Sequence, residues 1–439
     1  MNLENYDLLL RNATYLNPQM GITSGKIIAI RDGNIAAILE GDAPATAEQT
    51  MDGRGLLWMP GLVDGHTHTS QQLLRGRLLD EKPVIWKRVN VPFESRLTQE
   101  SARLSAQLAA LEMIKNGTTG FLDAGGKYVE TYAEVYAQSG LRGGLTYMTN
   151  DSPHMPDSLR STVSQSLARL ESLSHQLGGR LRAYYSLTTL TAVSCEMMTQ
   201  VLTAAKALGI PAEVHMNEYA SEVLDFIERY GERPLEYLDH HDLLGEHFVA
   251  PHCIFLSQSE MDILQRHQVR VVHCPFSNCG KGIPPTPQLV ARGIPVALGT
   301  DGTAHGGADL FAELRLLRSL MQVQYGVTAA DSGVMPAETL LRMATQGGAQ
   351  VLLQEDGGVL APGKTADLIA LDIDQPHLYP TQNLVHSLVE SACGRDVRHM
   401  IVDGKLIMQD RQVLTLDEAA IREQCQALLA AEPFLNHWQ

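Results

Sequence analysis

Residues 56–68 read LLWMPGLVDGHTH, an apolar run of the length of a buried strand that ends in two histidines. Seven further runs of this kind follow along the chain: TTGFLDAG (118–125), RGGLTYM (142–148), LRAYYSLT (181–188), IPAEVHMNE (210–218), HFVAPHC (247–253), VRVVHCPF (269–276) and IPVALGTDG (294–302). Amphipathic stretches with helical spacing separate several of them, for example residues 101–115 and 195–208. Eight strands that alternate with helices within roughly 300 residues favour a closed parallel barrel. The sequence therefore predicts an α/β protein with a TIM-like (β/α)8 barrel over residues 57–359, and an open doubly wound sheet is the alternative.

Both ends of the chain carry short β-rich runs and turns instead. Residues 6–16 and 25–41 form such runs at the start, and Asp32-Gly33 between two apolar stretches is a hairpin signal. Residues 365–374 and 397–417 repeat the pattern, with Asp403-Gly404 as the turn. Short edge strands need partners to be stable. We therefore expect the two ends to meet in one small discontinuous β-sandwich domain, residues 1–56 and 360–439.

Composition and charge exclude several classes of partner. The 439 residues include 34 basic and 50 acidic ones, which gives a net charge of −16, and Lys and Arg do not cluster. This balance disfavours nucleic acid and acidic membrane surfaces. No window reaches the roughly 18 uncharged apolar residues of a spanning helix, and the first residues lack the pattern of a signal peptide. Six cysteines are too few for a disulfide framework. We expect a cytoplasmic protein that acts on a small molecule.

Polar side chains follow the apolar runs at the point where each predicted strand ends. His66 and His68 end the first run, His215 and Glu218 the fifth, His252 the sixth and Asp301 the eighth. Alternate residues of a strand share a face, so the imidazoles of His66 and His68 point the same way. The carboxyl ends of all barrel strands converge on one face, where active sites of such barrels lie.

A cluster of imidazoles with one carboxylate suits a single divalent ion such as Zn²⁺ with one position left for water. Such an ion lowers the pKa of water to about 7 and so supplies a nucleophile at neutral pH. Glu218 lies three residues beyond His215, where it can reach the substrate side of the ion and transfer protons. The alternative for Glu218 is an ordinary acidic residue at a helix N-terminus.

The strings PGLVDGHTHTSQQLLRG, HMNE, APHC and GTDG resemble the amidohydrolase superfamily. More narrowly, they are similar to its cytosine/adenosine-deaminase-like branch, which includes S-adenosylhomocysteine and methylthioadenosine deaminases and s-triazine hydrolases. The resemblance covers nearly the whole chain. It implies one zinc or iron ion held by His66, His68, His215 and Asp301, and it makes a homo-oligomer possible. It also implies that His252 contacts the hydroxide or the developing oxyanion, that Asp301 takes a proton from the metal-bound water, and that Glu218 delivers protons to the substrate.

The same resemblance points to substrate-binding residues. Trp86 and Glu94 match an aromatic residue and a carboxylate that contact the purine nucleoside in nucleoside-deaminating members. An indole can cover a flat ring and a carboxylate can accept from a diol; a core Trp and a loop Glu are the alternative. The chain departs from those members at Thr188, where a histidine is usual, and at His305 beyond Asp301. Thr188 and His305 are therefore the candidates for altered contacts to the ring.

The prediction is a metal-dependent deaminase, a hydrolase acting on C–N bonds of cyclic amidines. Its expected substrate is an aminated nitrogen heterocycle, in the first place a purine or adenine nucleoside-type compound. Two alternatives stay open: an s-triazine or pterin hydrolase that releases ammonia, alkylamine or chloride, and a non-catalytic scaffold with an amidohydrolase-like fold.

Overall fold

The computed structural model describes residues 5–436. Its strands are β1 (Asn5–Leu16), β2 (Ile22–Arg31), β3 (Asn34–Glu40), β4 (Thr46–Asp52), β5 (Leu56–Pro60), β6 (Leu62–His68), β7 (Thr118–Asp123), β8 (Arg142–Leu145), β9 (Leu181–Ala183), β10 (Tyr185–Thr189), β11 (Ala212–His215), β12 (Phe248–Pro251), β13 (Arg270–His273), β14 (Val296–Leu298), β15 (Asp301–Gly302), β16 (Leu368–Asp372), β17 (Val397–Val402), β18 (Lys405–Gln409) and β19 (Gln412–Val413).

The helices connect the strands and cover the barrel. They are α1 (Val91–Arg96), α2 (Gln99–Lys115), α3 (Val129–Ser139), α4 (Val163–Gln176), α5 (Cys195–Leu208), α6 (Ala220–Tyr230), α7 (Pro234–His240), α8 (Gln258–His267), α9 (Pro275–Asn278), α10 (Thr286–Ala291), α11 (Leu310–Met321), α12 (Val327–Ala329), α13 (Ala337–Arg342), α14 (Gly348–Val351), α15 (Leu384–Glu390), α16 (Glu418–Ala431) and α17 (Pro433–Asn436). Among residues 5–436, none of the helices has the length and apolarity that a membrane crossing needs.

Parallel strands form a closed ring in chain order. Strands β6 to β9 pair successively, as do β10 to β14, and β15 returns to pair with β6. Only Tyr184 separates β9 from β10, and only Gly299 and Thr300 separate β14 from β15, so each of these pairs is one interrupted barrel strand. This arrangement confirms the predicted (β/α)8 barrel, and the pairing of β15 with β6 rules out the open sheet.

Local sequence signals set the ends of the helices. Thr98 caps α2 by accepting from the Ser101 backbone N–H, and Ser194 caps α5 by accepting from Met197. Helix α5 ends at Gly209, whose φ of 64° is the left-handed conformation that glycine adopts without strain. Inside the barrel, buried side chains such as Val63, Leu122, Val249 and Val272 form one apolar cluster.

The two ends of the chain form one nine-stranded sheet, in the order β19-β18-β17-β16-β5-β1-β2-β3, with β4 paired to β1. Buried residues from both halves of the sheet, among them Leu10, Ile28, Leu368 and Ile401, share one apolar cluster. This cluster gives the terminal sheet an apolar core of its own, as expected for the small β domain, while other buried side chains of the sheet, such as Ile369 and Met400, pack in the same cluster as the barrel helices. The boundaries 1–56 with 360–439 and 57–359 remain a proposal. Strand β5 crosses the first boundary, and residues 1–4 and 437–439 lie outside the described residues.

Candidate active site

Four side chains from three barrel strands meet at the carboxyl ends of the strands. His66 and His68 come from β6, His215 from the end of β11 and Asp301 from β15. One potential ligand atom of each lies within 4.8 Å of those of the other three. The structure therefore brings together the four residues that the sequence predicts as metal ligands, although 235 positions separate His66 from Asp301.

The close approach of strands at this point depends on glycine. Gly299, in the interruption of the eighth barrel strand, lies against the backbone of His66, and a Cβ added there would stand only 2.9 Å from the His66 carbonyl oxygen. Asp64 also connects these strands, because its carboxylate accepts hydrogen bonds from Thr300 Oγ1 at 2.6 Å and from Thr300 N at 3.0 Å. Burial raises the pKa of Asp64 to about 7, although these hydrogen bonds oppose the rise.

A buried carboxylate orients the first histidine. His66 Nδ1 lies 2.5 Å from Glu213 Oε1, so the imidazole donates there and its Nε2 faces the cluster. Among residues 5–436, His66 Nε2 is buried and has no hydrogen-bond partner. Sequence reasoning assigned no role to Glu213, although its position two residues before His215 puts both side chains on the same face of β11.

The other ligand atoms face each other at distances that a shared cation explains. His68 Nε2 and His215 Nε2 are 3.1 Å apart. Asp301 Oδ1 lies 3.5 Å from His66 Nε2 and 3.3 Å from His68 Nε2. Three imidazole nitrogens and one carboxylate oxygen are a donor set that suits Zn²⁺, and the orphaned Nε2 of His66 needs a partner of this kind. The residues present therefore fit a divalent metal.

The pKa shifts of the clustered side chains also favour a bound cation. Burial opposes a charge on His66, but the carboxylates of Glu213 and Asp301 outweigh it and raise its pKa to about 10. Burial and the neighbouring imidazoles hold the pKa of His215 well below its ordinary value. Although burial opposes ionisation of Asp301, the cations and imidazoles around it keep its pKa well below the ordinary value. The carboxylates of Glu213 and Asp301 thus favour positive charge in the cluster, while the imidazole of His215 stays neutral and available as a ligand.

Two further predicted residues stand beside the four. Glu218 Oε1 lies 3.8 Å from His252 Nε2, and Asp301 Oδ2 lies 3.9 Å from the same nitrogen. His252 Nδ1 is 3.0 Å from Asn278 Oδ1, which makes Nδ1 the donor and leaves the Nε2 lone pair facing the two carboxylates. Burial holds the pKa of His252 well below its ordinary value, so the ring is neutral.

A cavity of about 370 Å³ opens over this cluster. Its wall includes all four residues predicted to bind substrate, namely Trp86, Glu94, Thr188 and His305. Glu94 is buried and accepts from Ser70 Oγ at 2.7 Å and Gln71 Nε2 at 3.1 Å, both at Oε1. Thr188 donates its hydroxyl to the Thr149 carbonyl at 3.1 Å. His273 does not line the cavity, and its Nδ1 lies 2.8 Å from Thr286 Oγ1.

Sequence reasoning missed a lysine at the centre of the site. Lys281 lines the cavity, and its Nζ lies 2.5 Å from Glu218 Oε1 and 3.4 Å from Asp301 Oδ2. Ser277, also missed, donates to Asp301 Oδ2. Although burial opposes a charge on Lys281, the carboxylates of Glu218 and Asp301 outweigh it and raise the lysine pKa. The loop after β13 carries no periodic pattern that would have indicated these residues.

The family follows from a comparison with known proteins. The pattern of the amidohydrolase family matches residues 57–407, which include every barrel strand and the six clustered side chains. The chain belongs to the amidohydrolase family. This confirms the resemblance seen in the sequence.

Several relatives in this family match over nearly their whole length. The 5-methylthioadenosine/S-adenosylhomocysteine deaminase of Halobacterium salinarum is 36% identical over 427 residues, covering 95% of this chain and 96% of that protein. The 5'-deoxyadenosine deaminase of Methanosarcina mazei is 34% identical over 430 residues, covering 96% and 97%.

Solved structures share the fold. An adenosine deaminase from Xanthomonas campestris with bound zinc superposes with a TM-score of 0.89 at 28% identity, covering 98% of this chain and 100% of that chain. The atrazine chlorohydrolase of Arthrobacter aurescens, complexed with zinc, has a TM-score of 0.88, covering 96% and 100% of the two chains. At 20% identity, this second likeness shows the fold alone.

Proposed function

We propose that this amidohydrolase is a zinc-dependent deaminase of adenine nucleoside-type compounds. The observation that carries the proposal is the cluster of His66, His68, His215 and Asp301, with ligand atoms within 4.8 Å of one another, at the base of a cavity. The names of the Halobacterium and Methanosarcina relatives, both adenine-nucleoside deaminases, support the choice of substrate class. The zinc in the Xanthomonas adenosine deaminase supports the choice of metal, and iron is the alternative.

His66, His68 and His215 would hold the ion through their imidazole nitrogens, and Asp301 through Oδ1. When bound, the ion supplies Lewis acidity that makes water a nucleophile near neutral pH. The polypeptide supplies the rest: Glu213 fixes the His66 ring, and Asp64 with Thr300 fixes the backbone that carries Asp301.

Proton handling falls to three side chains that face one another. Asp301 Oδ2 is positioned to accept a proton from the attacking water. His252 Nε2, 3.9 Å from that oxygen, accepts a hydrogen bond from the same water and so orients it. Glu218, on the cavity side, delivers the two protons of the attacking water to the substrate: one goes to the ring nitrogen, and the one that Asp301 has accepted goes to the amine, which leaves as ammonia when the C–N bond breaks. Each proton transfer requires Asp301 or Glu218 to come within hydrogen-bond distance of the water or the substrate.

The cavity wall supplies the contacts to the rest of the substrate. Trp86 offers an aromatic face for a flat ring. Glu94 uses Oε1 for Ser70 and Gln71, so that Oε2 can accept from a ribose hydroxyl. Thr188 and His305 replace residues that are usual in nucleoside deaminases, and we assign to them the discrimination between ring substituents.

The direct test is ammonia release by the zinc-loaded protein from a panel of adenine nucleosides, free purines, pterins and s-triazines. We expect the highest kcat/KM with an adenine nucleoside. Release of chloride or alkylamine from a triazine, with no turnover of nucleosides, would show that the enzyme is an s-triazine hydrolase instead. A protein that binds no metal and turns over none of these compounds would be a non-catalytic scaffold with an amidohydrolase-like fold.

Location and assembly belong to the same proposal. We propose a cytoplasmic enzyme that works as a homo-oligomer, and sedimentation of the purified protein tests the second part. A sedimentation coefficient of the monomer across the working concentration range would contradict it.

A further inference from the structure

Lys281 is a buried cation to which the reaction described above assigns no step. It lies in the loop between α9 and α10, and its side chain is only 12% exposed. A lone ammonium group in such a position is strongly unfavourable unless it is paired. The structure pairs it with the carboxylates of Glu218 and Asp301, which are the two proton-handling acids of the proposed reaction.

The contacts of Lys281 form a bridge between those two acids. Its Nζ donates to Glu218 Oε1 at 2.5 Å and to Ser277 Oγ at 2.7 Å. Ser277 in turn donates its hydroxyl proton to Asp301 Oδ2. The chain Glu218–Lys281–Ser277–Asp301 therefore links the acid on β15 to the acid that follows β11.

Glu218 has little else to hold it. Among residues 5–436, Lys281 is its nearest charged partner, since His252 Nε2 is 3.8 Å away. Glu222, the acidic residue one helical turn further along, gives it no support, because a negative charge on Glu222 is disfavoured by burial and by the Glu218 carboxylate. Lys281 also lies 5.6 Å from the centre of the Tyr219 ring, the residue next to Glu218. The lysine thus constrains the segment that carries Glu218 at two points.

We propose that Lys281 is a positioning residue that acts through Glu218: its ammonium, braced by Ser277, holds the Glu218 carboxylate at the distance from Asp301 that proton transfer needs. The inference rests on the proposed function of Glu218 as proton carrier. A misplacement of a catalytic group by about 1 Å can cost about 100-fold in rate, so the effect of losing the lysine is measurable.

The test compares Lys281→Met and Lys281→Gln with Lys206→Met, a control that removes an ion-paired lysine whose partner is Asp242, outside the cavity. We expect kcat to fall by about 10- to 100-fold in both Lys281 variants, with KM within about twofold of the wild type. Zinc content and unfolding midpoint should equal those of the control. A wild-type kcat in the two Lys281 variants would overturn the proposal.

A double-mutant cycle separates positioning from an independent role. In a Glu218→Gln background, Lys281→Met should change kcat by less than about twofold, because the group through which the lysine acts is gone. Effects that simply multiply would show that Lys281 acts independently of Glu218, and the proposal would be wrong.

A crystal structure of zinc-loaded Lys281→Met gives a readout that does not depend on turnover. The Glu218 carboxylate should be displaced or spread over several conformers relative to the zinc-loaded wild type, while the four metal ligands keep their places. A Glu218 carboxylate unchanged in position would contradict the inference, even if the enzyme proved to act on a substrate other than the one proposed.

Discussion

Glu213 Oε1 lies 2.5 Å from His66 Nδ1 in the interior of the barrel, and both side chains are almost fully buried. This contact fixes which nitrogen of His66 carries the proton and therefore which nitrogen is free for a metal. Outer carboxylates of this kind raise the basicity of a ligating imidazole and hold its orientation.

Glu213→Gln should therefore weaken zinc binding by about 10- to 100-fold, measured by competition with a chromophoric chelator. The matched control is Glu246→Gln, which changes an exposed glutamate in the segment before β12. An unchanged zinc affinity in Glu213→Gln would show that the carboxylate has only a packing role.

Asp301→Asn should abolish turnover and leave the fold intact, because the amide can neither accept a proton nor supply a full negative charge to the cluster. The expected loss in kcat is at least about 100-fold. Circular dichroism and the unfolding midpoint report on the fold, and ammonia release reports on activity. Retained activity would remove Asp301 from its assigned role.

Glu218→Gln should keep the metal and lose about 10²- to 10⁴-fold in kcat, the range typical of general acid–base catalysis. Elemental analysis measures the zinc content of the same preparation that is used for kinetics. If this variant loses its zinc, Glu218 is a ligand and the set of four is incorrect.

Glu222→Gln should stabilise the protein in a pH-dependent way. Burial, together with repulsion from Glu218, raises the pKa of Glu222 from 4.5 to about 8. A carboxyl group whose pKa is raised on folding contributes stability below its unfolded pKa and loses it as the pH rises through the folded value. Between pH 4.5 and about 8 the unfolded state ionises first, so the wild type becomes progressively less stable relative to the variant.

The expected gain for Glu222→Gln at pH 8 is about 1 to 3 kcal/mol in the free energy of unfolding, with a much smaller gain at pH 5. Urea unfolding at the two pH values measures it. An equal effect at both would mean that Glu222 does not stay protonated in the folded state across this range.

The barrel and the cluster of four could be predicted from sequence because both depend on strand periodicity. Apolar runs that end in His66, His215 or Asp301 place those residues at one face of any closed parallel barrel. Family resemblance then separated ligands from other polar groups: by residue type alone, His273 at the end of β13 is as good a candidate as His252. In the structure His273 packs against Thr286, while His252 faces the carboxylates.

The remaining parts of the site lie where periodicity gives no information. Lys281 and Ser277 belong to a loop and to the single turn α9, and their neighbours in space are remote in sequence. Only in the folded chain do Ser277 and Lys281 reach Asp301 and Glu218. Glu213 is different, because strand alternation placed it beside His215, and a search for acidic residues two positions before a candidate ligand would have found it.

The eighth barrel strand closes the ring with only two residues, Asp301 and Gly302, which pair with Thr67 and His68 of β6. A cation shared by Asp301, His66 and His68 would therefore act as a reversible cross-link between the first and last strands of the barrel. More than two hundred residues separate these strands along the chain. Such an ion binds the folded protein and not the unfolded chain, so its binding free energy would add directly to the stability of this closure. Removal of the metal should therefore lower the free energy of unfolding as well as abolish turnover.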